Sequence, residues 1–393
     1  MLENLKTVPW EKLHHAYGSA EDTPIHLRNL ASADSGLREE AFDQLSYSIV
    51  HQGSVYEAAI YAVPFLVELL QAESVQAKQN ILRLLIEIAA GGSWHESHKR
   101  FTNLLDPTTE EYQQATQEEK GWISRIRTAL WEYIDVFIGF LWDENDEIFG
   151  CATQLLTYFR GLDPDRVQKI AGLMSEEQRE VRKADLVFLL GALDRARFMP
   201  LFEELFEQSP VELIRLAAAV NFGFGSQEFP EAMAEFVSAI VLRNDPELIA
   251  QYYTLGAAHD YWYDLARILV LADPIYPDKC APVFIQEIEK RAFGSDSHLM
   301  AVLLMAFFRD KKMQTEAPNA VQKAAVYAVA KVAYPQPLHT YCNAVDVLRT
   351  FGLPATRAAI DGYLGFPNEE NAGFAGPEKA AIAEYRKRRG EGR

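Results

Sequence analysis

The sequence predicts an all-α chain, a right-handed solenoid of about eight antiparallel helix pairs stacked side by side. Three observations predict it. Apolar residues recur at spacings of three and four along almost the whole chain, with hardly any alternating, strand-like pattern. The periodic segments are separated by short polar turns that offer an Asp or Ser to the next helix, often with Pro behind it: 32–36 (SADSG), 143–147 (DENDE), 161–165 (GLDPD), 207–210 (EQSP) and 243–246 (RNDP). Finally, one triplet repeats. Leu37–Ala41–Leu45, Ile148–Ala152–Leu156 and Ile214–Ala218–Phe222 each place a small residue one turn from two large ones, which lets two helices approach closely and interdigitate.

Taken in order, residues 1–22 form an N-terminal cap to a single domain covering 1–365. The first pair, 23–49, turns at 32–36, and the second, 56–90, follows the string His51-Gln52-Gly53. The third, 109–160, has a long first helix, because residues 122–141 place Ile123, Ile126, Leu130, Ile134, Phe137 and Leu141 on one stripe. Between the second and third pairs lies a long loop, 91–108. The fourth pair is 164–192, where Asp185 stands at the position of the expected alanine. The pairs 196–224, 229–257, an irregular 261–308 and 318–351 follow, then a last helix from Pro354 to Leu364. Gly223-Phe224-Gly225 reads as a helix stop. The tail, 366–393, is partly helical and basic; its last stretch holds Lys379, Arg386, Lys387, Arg388, Arg389 and Arg393 against Glu378, Glu384 and Glu391. It is either a frayed terminus or a segment that docks on acidic surface.

A polar turn, then an aliphatic–Arg pair (Leu37-Arg38, Ile214-Arg215), then a buried alanine resembles the second helix of HEAT repeats; Val181-Arg182 keeps the pair but has Asp185 in place of the alanine. The opening is more specific. Residues 14–30 and 46–70, with HQG-x-x-YEA (51–58) and AVPFL (62–66), resemble a group of bacterial HEAT-repeat proteins, over about the first quarter of the chain. That resemblance implies an α-solenoid of bacterial type and brings no reaction with it. The di-iron HEAT hydroxylases are similar in fold but use several His-Glu pairs in different repeats. Here His95-Glu96 stands alone, which sets that identity aside.

Composition narrows the function. A net charge of −18 disfavours a general nucleic-acid binder, which needs surface Lys and Arg for phosphates. The three cysteines, Cys151, Cys280 and Cys342, are too scattered for a disulfide framework or a zinc cluster. The stretch Met1–His15 is charged at Glu3, Lys6, Glu11 and Lys12, and the most apolar run, 299–308, is about half a membrane span, so a cytoplasmic protein without a membrane segment is expected. No nucleophile elbow, P-loop or dinucleotide fingerprint occurs, and no cofactor is expected.

Three places can carry chemistry. His51 and Glu57 either share a small polar pocket or belong to a turn in which Gly53 takes a positive φ. His95 and His98, three apart, could face one side of a helix as metal ligands, although the string is not H-E-x-x-H and no metal site is expected. The richest cluster is Tyr252, Tyr253, His259, Asp260, Tyr261, Trp262, Tyr263 and Asp264. It reads as a partner-binding surface with a wet rim set by the two aspartates, as a core plug, or as a site where His259 is a base oriented by Asp260 or Asp264.

The expected function is a non-enzymatic scaffold or adaptor, a monomer that binds a basic protein partner along an acidic concave face. The alternative is a HEAT-like lyase or other small-molecule enzyme with its site near 252–264; a toxin-immunity protein and a HEAT-like DNA glycosylase stand behind these.

Overall fold

The computed structural model describes residues 1–98, 106–290, 304, 319–333, 347–349, 351–353 and 357–364. The tail 366–393, Cys342, most of the apolar run 299–308 and the middle of the 91–108 loop lie outside them. The described chain is all-α, with two very short hairpins, and divides into two compact units: 1–198 with 254–258, and 199–253 with 259–393.

The first unit opens with short 3₁₀ turns and a hairpin of β1 (His14–His15) and β2 (Gly18–Ser19). Helices α1 (Thr23–Asn29) and α2 (Ser35–Ser48) follow. Asp34 caps α2, its carboxylate accepting from the Gly36 and Leu37 amides. The HQG string is not a simple turn between helices. It is the tip of a second hairpin, β3 (Val50–His51) and β4 (Ser54–Val55), where Gln52 and Gly53 take φ of 49° and 77°. Strands of two residues are too short to show an alternating pattern.

Helices α3 (Glu57–Gln71) and α4 (Lys78–Ala90) carry the densest core of this unit; Val63, Leu66, Leu69, Leu82 and Leu85 are buried. Each such side chain stabilises by roughly 1.5–3 kcal/mol through burial. The short α5 (Trp94–His98) lies against α6 (Glu110–Trp131). The stripe 122–141 is not one helix. Tyr133 leaves helical geometry (φ −109°, ψ 12°), and α7 (Ile134–Gly139) starts afresh, so that Leu130 ahead of the break and Ile134 and Phe137 behind it are all buried. Helix α8 (Asp146–Leu156), capped by Asn145, packs on α4, and α9 (Pro164–Glu176) is capped by Asp163 with Pro164 behind it.

The repeated triplet is buried at Ile148, Ala152, Leu156, Ile214, Ala218, Phe222, Ala41 and Leu45, but Leu37 is 43% exposed: it sits on the open first turn of α2. The arginine beside it has a consistent task. Arg38 donates to the Ser32 and Ala33 carbonyls of its own turn, and Arg215 donates to the Phe206 carbonyl. Arg182, buried, donates to the Asp143 and Glu144 carbonyls (2.7 and 2.9 Å) and pairs with Asp146. Arginine's fork satisfies carbonyls that no backbone amide reaches.

Helix α10 (Glu180–Gln208) breaks at Asp194 (φ −153°, ψ 71°), and the chain enters the second unit after Phe198. There α11 (Glu212–Gly225), α12 (Glu231–Arg243), α13 (Pro246–Tyr252), α14 (Tyr261–Leu269) and α15 (Ile275–Lys290) pack around Leu216, Val220, Val237, Leu265 and Phe284. Helices Ala320–Ala333 and Arg357–Leu364 continue from α15. The GFG string does end α11, whose last residue is Gly225, but Gly223 has a different task. It lies inside the helix at a close approach, where a Cβ would fall 2.6 Å from Ile268 Cγ2. The Ser209-Pro210 turn supplies no cap residue either; Ser209 Oγ instead accepts from the Val211 amide.

Candidate functional site

The 252–264 cluster is held by two local signals. Asp245 caps α13 with Pro246 in its first turn, and Asp260 caps α14 by accepting from the Tyr263 amide at 2.9 Å. Successive residues on α14 are about 100° apart, so Tyr261, Trp262 and Tyr263 cannot share a face. The structure separates them: Tyr261 and Trp262 point into the core and Tyr263 is only partly exposed. The Tyr261 ring meets Tyr252 edge-on at 5.1 Å and Trp262 at 4.8 Å, and Trp262 meets Phe284 at 6.2 Å. These tilted contacts are what aromatic rings prefer in a packed interior.

Asp264, read from sequence as part of a wet rim, is buried. Its Oδ2 accepts from the Tyr252 hydroxyl at 2.7 Å and from the His259 amide at 3.3 Å. Burial, and then Asp264 itself, hold the Tyr252 phenol well above its ordinary pKa, so that phenol stays protonated and donates. Burial likewise pushes the Tyr261 phenol up. A carboxylate tolerates such a place only when hydrogen-bonded. Tyr252, Tyr261, Trp262 and Asp264 are therefore interior residues and cannot themselves touch a partner.

The surface that remains is Tyr253 (48% exposed), His259, Asp260 and Tyr263. Tyr253 donates to Asp260 at 3.0 Å. The His259 side chain is 67% exposed; its Nδ1 lies 3.4 Å from Asp264 Oδ1, which makes Asp264 rather than Asp260 the carboxylate beside the ring. Two rim residues escaped the sequence reading. Phe224 approaches the His259 ring at 6.1 Å, and Arg267 donates to the Tyr263 hydroxyl at 3.2 Å while lying 5.4 Å over Phe224. Phe224 comes from α11 and Arg267 from the far end of α14, so no local spacing announces them.

The other candidates separate. His51 Nδ1 faces the Tyr17 hydroxyl at 3.5 Å, whereas Glu57 lies 3.9 Å from His14, so His51 and Glu57 have different partners. His95 is tied to α6: its Nδ1 is 2.8 Å from Glu119 Oε1, its amide donates to Glu119 Oε2, and Tyr112 donates to its carbonyl. Ser93 donates to the same carboxylate and accepts from the Glu96 amide, so the string 93–98 is a capped helix start. The side chain of His98 lies outside the described residues. Among the described residues, no group of three or more His, Cys, Asp or Glu is placed to hold a metal ion. Cys151 and Cys280 are buried, and burial raises both thiols. No helix among the described residues is long and apolar enough to cross a membrane.

A second buried carboxylate, Asp185, stands where the sequence pattern expects an alanine. Asp185 accepts from the Thr153 hydroxyl (2.7 Å), the Gly256 amide (3.0 Å) and the Ala257 amide (2.7 Å). Burial pushes its carboxyl up to about 6.

No family model and no curated protein matches the sequence. Among solved structures, the chain is similar to a chain of the CpcE–CpcF complex of phycocyanin lyase from Nostoc sp. PCC7120. The identity is 14% and the TM-score 0.41, over 79% of this chain and 94% of that one. It is also similar to an engineered protein, at 17% identity and TM-score 0.25, over 88% and 97%. At these scores neither likeness bears on function, and the helical class rests on the helices themselves.

Proposed function

We propose that the chain is a HEAT-type repeat protein that works by binding another protein, docked on the second unit at Tyr253, His259, Asp260 and Tyr263. The observation that carries this reading is a pair of rings, Tyr253 exposed and Tyr263 partly exposed, on a packed base. Tyr253 is fixed by Asp260, and Tyr263 follows directly on the buried Tyr261 and Trp262. Aromatic anchors whose rotamers are already restricted bind without the roughly 0.5–1.5 kcal/mol that ordering each side chain costs. The partner is basic. The chain carries −18, and a cleft of the same unit sets Glu231 and Asp273 beside the exposed Ile275, a match for a cation next to an apolar group.

Affinity capture from the source organism tests this, with wild type and the Tyr253→Ala/Tyr263→Ala variant compared at low and physiological salt. A protein retained by wild type, released by salt and lost by the folded variant is the expected result. Identical capture by both chains would overturn the reading. The rival, a small-molecule enzyme near 252–264, draws on one specific feature, the imidazole of His259 beside the buried Asp264.

A further inference from the structure

Asp264 has no exposed surface, and its Oδ1 has no hydrogen-bond partner among the described residues. That oxygen lies 3.4 Å from His259 Nδ1, on a ring that is two-thirds exposed. A carboxylate only accepts, so the neutral imidazole that suits it carries its proton on Nδ1. The basic lone pair is then on Nε2, the nitrogen on the opposite side of the ring from Asp264. The separation is longer than a hydrogen bond, as such pairs commonly are before a ligand closes them. Two further groups border the ring: Phe224 and Tyr263 stand at 6.1 and 6.3 Å, and Arg267 spans both, over Phe224 and bonded to the Tyr263 hydroxyl.

We propose that His259 is the base of a proton-abstraction site for planar aromatic compounds, with Asp264 as its positioning residue. Phe224 and Tyr263 supply ring contacts, and Arg267 supplies positive charge for the anion that forms. Nε2 takes a proton from the substrate. The bonding pair stays on the substrate, either as an anion or to expel a leaving group, and Asp264 stabilises the imidazolium until it returns the proton to water. This inference stands apart from the docking reading: one is tested by capture of a protein, the other by turnover of a small molecule, so either can fail alone.

The probe is 5-nitrobenzisoxazole. Removal of its C3 proton forms a C≡N bond, breaks the N–O bond and releases a coloured phenolate, with no other reactant. Wild type is expected to turn the probe over at least about tenfold faster than His259→Gln, a modest share of what positioned bases contribute. Nitrogen-15 NMR of the wild-type chain gives a readout that needs no variant: His259 should be the Nδ1–H tautomer, and Asp264→Asn should shift it toward Nε2–H while slowing turnover. Equal turnover by wild type and His259→Gln overturns the proposal, as does an Nε2–H tautomer in the wild-type chain.

Discussion

Asp185 offers the sharpest test of the physical reading. Its carboxyl is 2% exposed, and its three donors come from α8 and from the 254–258 segment. Thr153 has one hydroxyl proton but two acceptors in reach, Asp185 Oδ2 at 2.7 Å and the Gly150 carbonyl at 2.9 Å. When Asp185 is ionised, the hydroxyl proton goes to the carboxylate and Gly150 loses it. When Asp185 is protonated, it donates to Thr153 Oγ1, Thr153 donates to Gly150, and both amides keep an acceptor. The three donors favour the carboxylate and oppose burial; burial prevails, and the neutral acid keeps every donor in the network an acceptor.

The folded pKa is raised from 3.8 to about 6, so the native state binds the proton more tightly than the unfolded one. Stability from this group is fully present below about pH 4 and is lost as pH rises through about 6. The whole effect is about 3 kcal/mol, from roughly two pH units at 1.36 kcal/mol each. Between about pH 7.5 and pH 5 roughly half of it is visible. Urea midpoints of wild type and Asp185→Asn, taken at low concentration because the sequence pI is about 5.0, would measure it. Asparagine cannot titrate, and it turns an NH₂ toward one of the amides, so it should destabilise at every pH, and most in acid. Subtracting the variant removes the other titrating groups from the comparison. A difference between the two chains that does not change with pH would show that Asp185 is not titrating in a dry network.

Three substitutions test the packing. Gly256→Ala would place Cβ 1.8 Å from the Gly150 carbonyl oxygen, and should cost more than the roughly 1–3 kcal/mol of ordinary overpacking, because backbone rather than a side-chain tip must move; a thermal melt within a degree of wild type would contradict it. Ala152→Leu, at a fully buried position of α8, should cost about 1–3 kcal/mol in a denaturation curve, and an unchanged midpoint would remove this alanine from the helix contact. Arg182→Met should lower stability by about 1.5–3 kcal/mol, since the Asp143 and Glu144 carbonyls lose a charged donor, and a neutral outcome would show that water replaces it.

What sequence reading reached, and what it could not, divides along the range of the forces involved. Caps at Asp34, Asp163 and Asp245 were legible because donor and acceptor lie within three residues of each other, whereas in 143–147 the cap is Asn145 and not one of the aspartates. The alanines of the repeated triplet were legible because helix packing selects size at a fixed spacing. Asp185 was legible only as an anomaly, a charge where alanine was due: its partners are 32, 71 and 72 residues away. Asp264 was misplaced for the opposite reason. An aspartate among tyrosines suggests a wet rim, yet here the Tyr252 hydroxyl makes burial tolerable by donating to it. For Asp264, composition assigned a carboxylate to water before its hydrogen-bond donors were known. The same rule reads forward. In a helical repeat whose turns come from a short list of residues, an acid at an expected core position marks a place where remote donors converge. In this chain Asp185 is such an acid: it fixes the backbone of 256–257 by accepting from both amides.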